Sequence, residues 1–206
     1  GATECLPVAV IEGRELESTR AATEAGAGTC VGRAVPPNEV RIIRIVDAPI
    51  ADWNDVDEVP DGEVGEITVA GPTATDTYFR RDAATRIAKI REALPDGGER
   101  IVHRMGDVGW FDGEGRLWFC GRKTQRVETA DGPLYTEQVE PVFNTHPQVR
   151  RTALVGVGEP GRQTPVLCYE LQSGVGVDRA RVEADLRAIG ARHPHTARIA
   201  RFLPHP

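Results

Sequence analysis

Two charged residues frame a short stretch that could do chemistry on a polar ligand. Asp107 follows a glycine in Gly106-Asp107, and Arg122 follows one in Gly121-Arg122. Between them lie Trp110-Phe111, the turn sequence Asp112-Gly113-Glu114-Gly115 and the returning run Arg116-Leu-Trp-Phe-Cys120. Apolar runs on either side of a glycine-rich turn predict a β-hairpin, with both glycines taking positive φ. A hairpin fixes both its ends, so an acid and a base can converge there on one ligand. An aspartate accepts two hydroxyl hydrogen bonds, as vicinal sugar hydroxyls need, and a guanidinium forks onto ribose or phosphate oxygens. A plain Asp107–Arg122 salt bridge would use the same two residues, and these motifs alone do not decide between the readings.

Other reactive side chains carry less. Gly1-Ala-Thr-Glu4 sets a hydroxyl beside a carboxylate, but by itself reads as a turn before a strand. Cys5, Cys30, Cys120 and Cys168 are widely spaced with no C-x-x-C pair, against the tight patterns of zinc sites and disulfide frameworks. Four reduced thiols in a cytoplasmic protein are expected. Cys120 is expected to be a small buried residue rather than a nucleophile. His103 is expected to make a polar contact rather than act as a base, and the spacing of His193 and His195 is too loose for a metal site. Trp110, Trp118 and Phe119 are expected to form the hairpin's core.

The elements that must hold these residues come from a chain of 206 residues, 40% hydrophobic and 27% charged, with net charge −6. That charge gives no basic face for nucleic acid. No apolar run approaches the roughly 18 residues of a membrane span. The start at Gly1, without Met, is expected to be an imposed boundary, a cleavage or disorder rather than a natural beginning. Lysine occurs only at Lys89 and Lys123. Strands are predicted over residues 6–11, 39–46 and 65–71, with an acidic, Pro-rich loop at 47–62. Residues 12–28 contain helix formers without a clear apolar face. Asp82 is expected to cap a helix over 83–94, stopped by Pro95-Asp96-Gly97-Gly98. Beyond Arg122 the pattern turns mixed. A helix over 136–144 is capped by Thr136, strands follow at 149–157 and 165–171, and a helix runs over 177–189. Asp178 caps that last helix, and Val182, Leu186 and Ile189 share one of its faces. This predicts a small α+β domain at 123–206 after a domain at 1–122.

The motifs also come in a telling order. Gly-Ala-Thr-Glu is followed by Gly65-Glu-Ile-Thr-Val-Ala-Gly71, Tyr78 with residues 82–85, Met105-Gly-Asp-Val-Gly109, Gly121-Arg122 and Tyr135-Thr-Glu-Gln-Val-Glu140. This set resembles the adenylate-forming superfamily of acyl-CoA synthetases, luciferases and peptide-synthetase adenylation domains, from Gly1 to about Val157. The resemblance implies a mixed α/β fold: the β-rich end of the family's large N-terminal domain, then the small C-terminal α+β domain, truncated. It implies ATP and Mg²⁺ as cofactors, with AMP and pyrophosphate released. Gly1, Ala2 and Thr3 would bind the nucleotide, with Thr3 on the AMP phosphate. Glu4 would hold the metal, Asp107 both ribose hydroxyls, and Arg122 ribose or phosphate. Thr3, Glu4 and Arg122 are thus the catalytic candidates. Thr124 stands where the family pivots its small domain. The family's phosphate loop and adenine-stacking aromatic would precede Gly1. No lysine after Lys123 matches its C-terminal catalytic lysine, so this chain alone is expected to be inactive.

Within the superfamily, His103-Arg-Met-Gly-Asp-Val-Gly, Trp-Phe-Cys-Gly-Arg-Lys and Gly-Pro-Leu-Tyr-Thr-Glu-Gln-Val-Glu most resemble the β-lactone synthetase branch of bacterial olefin biosynthesis. That branch adenylates a 2-alkyl-3-hydroxy acid, whose own hydroxyl displaces AMP. Family members that form thioesters carry paired glycines before the 136–144 helix. Here residues 128–135 hold one displaced glycine, Gly132, beside Pro133. The resemblance implies a small-molecule carboxylic acid as substrate and association with other enzymes of a hydrocarbon pathway. The alternatives are an acyl-CoA ligase for long-chain or aromatic acids, and a non-catalytic binding module.

Overall fold

The buried and alternating runs of the first half become strands of one sheet. The computed structural model describes residues 1–172 and 178–205. The chain divides into two units: Gly1–Glu17 with Cys30–Phe119, and Ser18–Thr29 with Cys120–Pro206. The first contains β1 (Ala9–Val10), the start of α1 (Gly13–Glu24), most of β2 (Thr29–Ala34), β3 (Glu39–Ile43), β4 (Gly65–Ala70), α2 (Asp82–Ala88), β5 (Lys89–Ala93), β6 (Glu99–Phe111) and the start of β7 (Leu117–Arg122). The strand order is β1-β2-β7-β6-β4-β3, with β5 also paired to β6. α1 lacks an apolar face, as its sequence indicated, and buries only Thr19.

β6 is the longest strand, with β4 along one side and β5 beside its first half. All six residues of β4 are buried. Its one charge, Glu66, faces Arg104 of β6 at 2.7 Å, each side chain 1% exposed. Desolvating such a pair is costly unless its remaining hydrogen-bonding capacity is met. Arg104 meets its own by also donating to the carbonyls of Val46, Ala48 and Ile87.

The helix expected over 83–94 stops at Ala88. Residues 89–93 form β5 instead, antiparallel to β6 with Ile90 opposite Val102 and Glu92 opposite Arg100. Ile90 is fully buried, and Glu92 accepts from Arg100 at 2.6 Å and from Arg41 at 2.7 Å. Burial and cross-strand pairing override the helical preference of these residues. Pro95-Asp96-Gly97-Gly98 is therefore a hairpin turn, closed by Gly97 N–H to Leu94 O at 3.0 Å and Leu94 N–H to Gly98 O at 2.8 Å. Asp82 is the first residue of α2 rather than its cap; Arg81 stands at the cap without a side-chain bond.

The hairpin from Asp107 onward forms as expected, although only Gly115 of its turn has positive φ, +73°. Trp110 and Trp118 stack at 5.6 Å. Asp112 organises the turn: Oδ1 accepts from the Glu114 and Arg116 N–H groups, and Oδ2 from Trp118 Nε1 at 2.8 Å and Arg116 Nε at 2.7 Å.

The second unit holds β8 (Val127–Thr129), β9 (Gly132–Leu134), α3 (Thr136–Phe143), β10 (Val149–Val157), β11 (Thr164–Leu171), α4 (Arg179–Gly190) and β12 (Arg201–Pro204). β10 and β11 pair antiparallel, as the sequence suggested; β12, which it did not, adds in parallel with Phe202 opposite Leu167. One face of this sheet packs on α3 and α4 through Val139, Phe143, Leu167, Val182 and Leu186, and Phe143 meets Phe202 edge-on at 5.8 Å. Asp178 caps α4 by accepting from Ala180 N and Arg181 N, whereas Val177 lies outside the described residues. Thr136 is not a cap but the first residue of α3.

Burial would raise the Asp112 pKa, but the bonds from Trp118, Arg116 and Glu114 outweigh it and hold the carboxyl at about 2, below its ordinary 3.8. A depressed carboxylate stabilises the fold fully above its unfolded pKa and loses that contribution as pH falls through the folded one. Asp112 is therefore expected to contribute on the order of 2 kcal/mol near neutrality, lost between about pH 4 and 2. Urea unfolding of the wild type and Asp112→Asn across that range checks this: the variant should start less stable and show a shallower acid loss.

Candidate active site

Gly1-Ala-Thr-Glu folds as a tight turn. Ala2 and Cys5 exchange both backbone hydrogen bonds at 3.0 Å, which leaves Thr3 exposed and Glu4 half-buried at the bend. Residues 71–81 run along this turn and are fastened to it three times. Cys5 Sγ lies 3.3 Å from Thr73 Oγ1, Thr75 N–H donates to Glu4 O at 2.8 Å, and Tyr78 Oη donates to Glu4 Oε1 at 2.9 Å. Asn38 anchors the start of this segment by accepting from Thr73 Oγ1 and donating to Pro7 O at 2.7 Å. The Tyr78 bond is the main reason the Glu4 pKa lies below its ordinary value. The tyrosine rises in turn to about 12, through burial and then through the same bond.

Lys89, the first residue of β5, lies within electrostatic reach of Glu4. Its Nζ donates to both the carbonyl and the hydroxyl of Thr75, and sits 5.7 Å from the Tyr78 ring centre. Burial lowers its pKa while Glu4 and Asp76 oppose that. His103, opposite Lys89, is buried and donates from Nδ1 to Ala88 O at 3.2 Å. Burial, followed by the Lys89 charge, lowers its pKa. His103 thus makes a polar contact. Sequence reasoning did not connect Lys89 with Glu4; the one signal was its rarity.

Asp107 owes its place to a β-bulge. Glu66 pairs with Val108 and Thr68 with Arg104, so three residues of β6 stand against one of β4. Gly106, at φ +67°, takes the left-handed turn this requires, and no atom lies near where its Cβ would be. Glycine is needed for conformation, not for space. Asp107 is then 9% exposed.

Arg122 ends β7 in the second unit and is exposed. The glycine before it is explained by contact: a Cβ on Gly121, at φ +123°, would stand 2.3 Å from Thr136 Oγ1. Thr124 lies in the single helical turn Lys123–Gln125 that follows. The Cys120 thiol is pushed up to about 12, by burial first, and stays protonated at neutral pH. All four cysteines are free thiols. The loop at 128–135 is the β8–β9 hairpin, fastened by Arg198 Nη2 donating to Thr129 Oγ1 and to Gly132 O. Gly1, Ala2, Thr3 and Glu4 share one turn and Asp107 lies in the same unit, whereas Arg122 lies in the other.

No protein-family model matches this chain. Over all 206 residues it is 75% identical to the olefin β-lactone synthetase of Xanthomonas campestris pv. campestris, and it spans 37% of that protein's length. The structure of the amide bond synthetase McbA from Marinactinospora thermotolerans matches it with TM-score 0.65 and 28% identity, over 86% of this chain and 32% of that one. The chain belongs to the adenylate-forming superfamily. The family fold recurs at 23% identity in the O-succinylbenzoate coenzyme A synthetase of Bacillus subtilis, solved with ATP and a magnesium ion. That match has TM-score 0.62 and covers 85% of this chain and 32% of that one. The mixed α/β architecture expected of an adenylate-forming enzyme is therefore present. Among the described residues no helix is long and apolar enough to cross a membrane.

The donor set fits magnesium. Among the described residues no three His, Cys, Asp or Glu side chains gather into a metal cage. Magnesium needs none, since it is commonly held by one or two carboxylates together with substrate phosphates and water. Glu4, with its pKa lowered and its Oε1 accepting from Tyr78, is a carboxylate chemically suited to that role.

The bulge yields a stability test. Gly106→Ala should destabilise the fold by roughly 1–2 kcal/mol, the cost of a side chain in the left-handed region. Gly106→Asn should lose less, because asparagine tolerates that region. Thermal unfolding checks both, and an unchanged midpoint for alanine would mean that the bulge relaxes.

Proposed function

We propose that the protein carrying this chain activates a carboxylic acid with ATP as its acyl-adenylate and closes a 2-alkyl-3-hydroxy acid to a β-lactone, in the cytoplasm and beside other enzymes of a hydrocarbon pathway. The observation that carries this reading is 75% identity, residue for residue across the chain, to an olefin β-lactone synthetase. Glu4 would hold magnesium, which when bound would neutralise phosphate charge. Gly1, Ala2 and Thr3 line the nucleotide, with the Thr3 hydroxyl on the α-phosphate. Asp107 accepts hydrogen bonds from both ribose hydroxyls, and Arg122 contacts ribose or phosphate. These charges oppose the negative charge that builds as the carboxylate attacks the α-phosphate and pyrophosphate leaves.

In the second step the 3-hydroxyl oxygen bonds to the acyl carbon. The acyl–phosphate bond breaks with its electron pair on AMP, and the hydroxyl proton is released. An internal nucleophile gains effective molarity and needs no channel for an external thiol. The β8–β9 hairpin supports this. Where thioester formers in the family carry paired glycines, this loop has a single glycine, and Arg198 ties its turn down.

The full-length protein with ATP, Mg²⁺ and a 2-alkyl-3-hydroxy acid should release AMP and a β-lactone without coenzyme A. The same acid lacking its hydroxyl should stall as acyl-adenylate. If coenzyme A instead accelerates turnover and acyl-CoA accumulates, the acyl-CoA ligase reading replaces this one. Asp107→Ala should remove two charge-assisted bonds to ribose, each about 1.5–3 kcal/mol, and weaken ATP far more than the acid. Unchanged ATP affinity in a folded variant would make Asp107 structural.

A further inference from the structure

We propose that Tyr78 is a positioning residue for Glu4, and that residues 71–81 form a strap holding the Glu4 carboxylate in one orientation for a divalent cation. The inference rests on the reading of Glu4 as a magnesium ligand and adds what fixes that ligand in place.

A glutamate on a turn has three rotatable bonds, and an exposed one samples many rotamers. Its ordering cost is then taken from metal affinity. Here the hydroxyl of Tyr78 takes Oε1 at 2.9 Å and sets the direction of the carboxylate before any cation arrives. The tyrosine is itself held from several sides. Its N–H donates to Thr85 Oγ1 at 3.0 Å, which ties it to α2. Lys89 Nζ lies 5.7 Å from its ring centre, within cation–π range, and binds Thr75 of the same strap. Two residues on, Arg80 stands at φ +53°, a left-handed conformation unusual for a residue that is neither glycine nor asparagine. Such backbone persists only where its surroundings over-determine it. Here the chain must turn sharply between a tyrosine committed to Glu4 and the start of α2 at Asp82.

The strap does not depend on the tyrosine hydroxyl. Cys5 with Thr73, Thr75 N–H with Glu4 O, and Lys89 with Thr75 hold it by other atoms. A phenylalanine at 78 would keep the ring, the Thr85 contact and the strap, and would remove only the bond to the carboxylate. The hydroxyl is therefore spent on orienting Glu4, not on closing the fold.

The test uses the full-length protein with ATP and Mn²⁺ as a spectroscopic probe, with bound metal read by electron paramagnetic resonance. Tyr78→Phe should weaken Mn²⁺ binding roughly ten-fold, in line with loss of a hydrogen bond to a charged group. It should also raise the Mg²⁺ concentration for half-maximal activity while leaving kcat at saturating Mg²⁺ close to wild type. Glu4→Gln should weaken Mn²⁺ binding more, and Tyr78→Phe added to Glu4→Gln should have no further effect. If Glu4→Gln weakens the metal and Tyr78→Phe does not, the positioning role is wrong and the ligand reading survives. If Tyr78→Phe weakens the metal equally in the Glu4→Gln background, the hydroxyl acts elsewhere and the proposal falls. If Glu4→Gln leaves the metal unchanged, both fall together.

Discussion

Strands β4 and β6 cannot keep a uniform register, and much of the first unit follows from that. Between Glu66 and Thr68 one residue of β4 spans the distance for which β6 uses Met105, Gly106 and Asp107. The slip is locked from both sides. On one side Arg104 is bound to Glu66 with both side chains almost wholly buried; on the other Val108 is fully buried. Sliding the strand by a residue would either strand a buried charge or expose an apolar side chain. The extra residues must therefore bulge, and the left-handed Gly106 is where they do. Immediately past the bulge, Gly109 lets the backbones close up, since a Cβ there would stand 2.5 Å from Trp118 O. A carboxylate is thus set at a fixed point of the sheet by packing on either side of it.

The second consequence comes through β5. Because residues 89–93 pair with β6 instead of continuing α2, the lysine at the junction turns back under the strap and meets Thr75 and the Tyr78 ring. Lys89 is thus one further anchor of the strap, beside the bonds that Cys5 and Glu4 make to it. Arg104 reinforces the arrangement by binding Ile87 O, near the end of α2, together with the carbonyls of Val46 and Ala48. One guanidinium thus joins a helix end, an otherwise irregular segment and two strands. The exposed pairs, such as Arg187 with Glu183, are screened by water and contribute far less.

The second unit is built on a simpler plan. Two helices cover one face of a three-stranded sheet, and the hydrophobic periodicity needed for that is plain in the chain. Val182 and Leu186 are buried as their spacing indicated, and Asp178 caps as its position indicated. What escaped notice was β12. Its four residues follow a Pro-broken stretch and carry no alternation long enough to register, and they become a strand because β11 presents an open edge and Phe202 finds Phe143.

The sequence by itself determined the local features. These are the hairpin around Asp112, the buried run of β4, the partly buried, alternating runs of β3, β10 and β11, the apolar face of α4, and an ordered set of motifs specific enough to identify the superfamily. Each is written within a few residues, where side-chain period, turn chemistry and spacing act directly on the backbone. Tertiary structure decided the rest. Residues 89–93 suit a helix locally, and only the burial of Ile90 and the pairing of Glu92 with Arg100 make them a strand. Nothing near Glu4 in sequence foretells that Tyr78 and Lys89, 74 and 85 positions away, will close on it. Such contacts depend on where the chain returns, and that is set by the register of the whole sheet rather than by any residue's own preference.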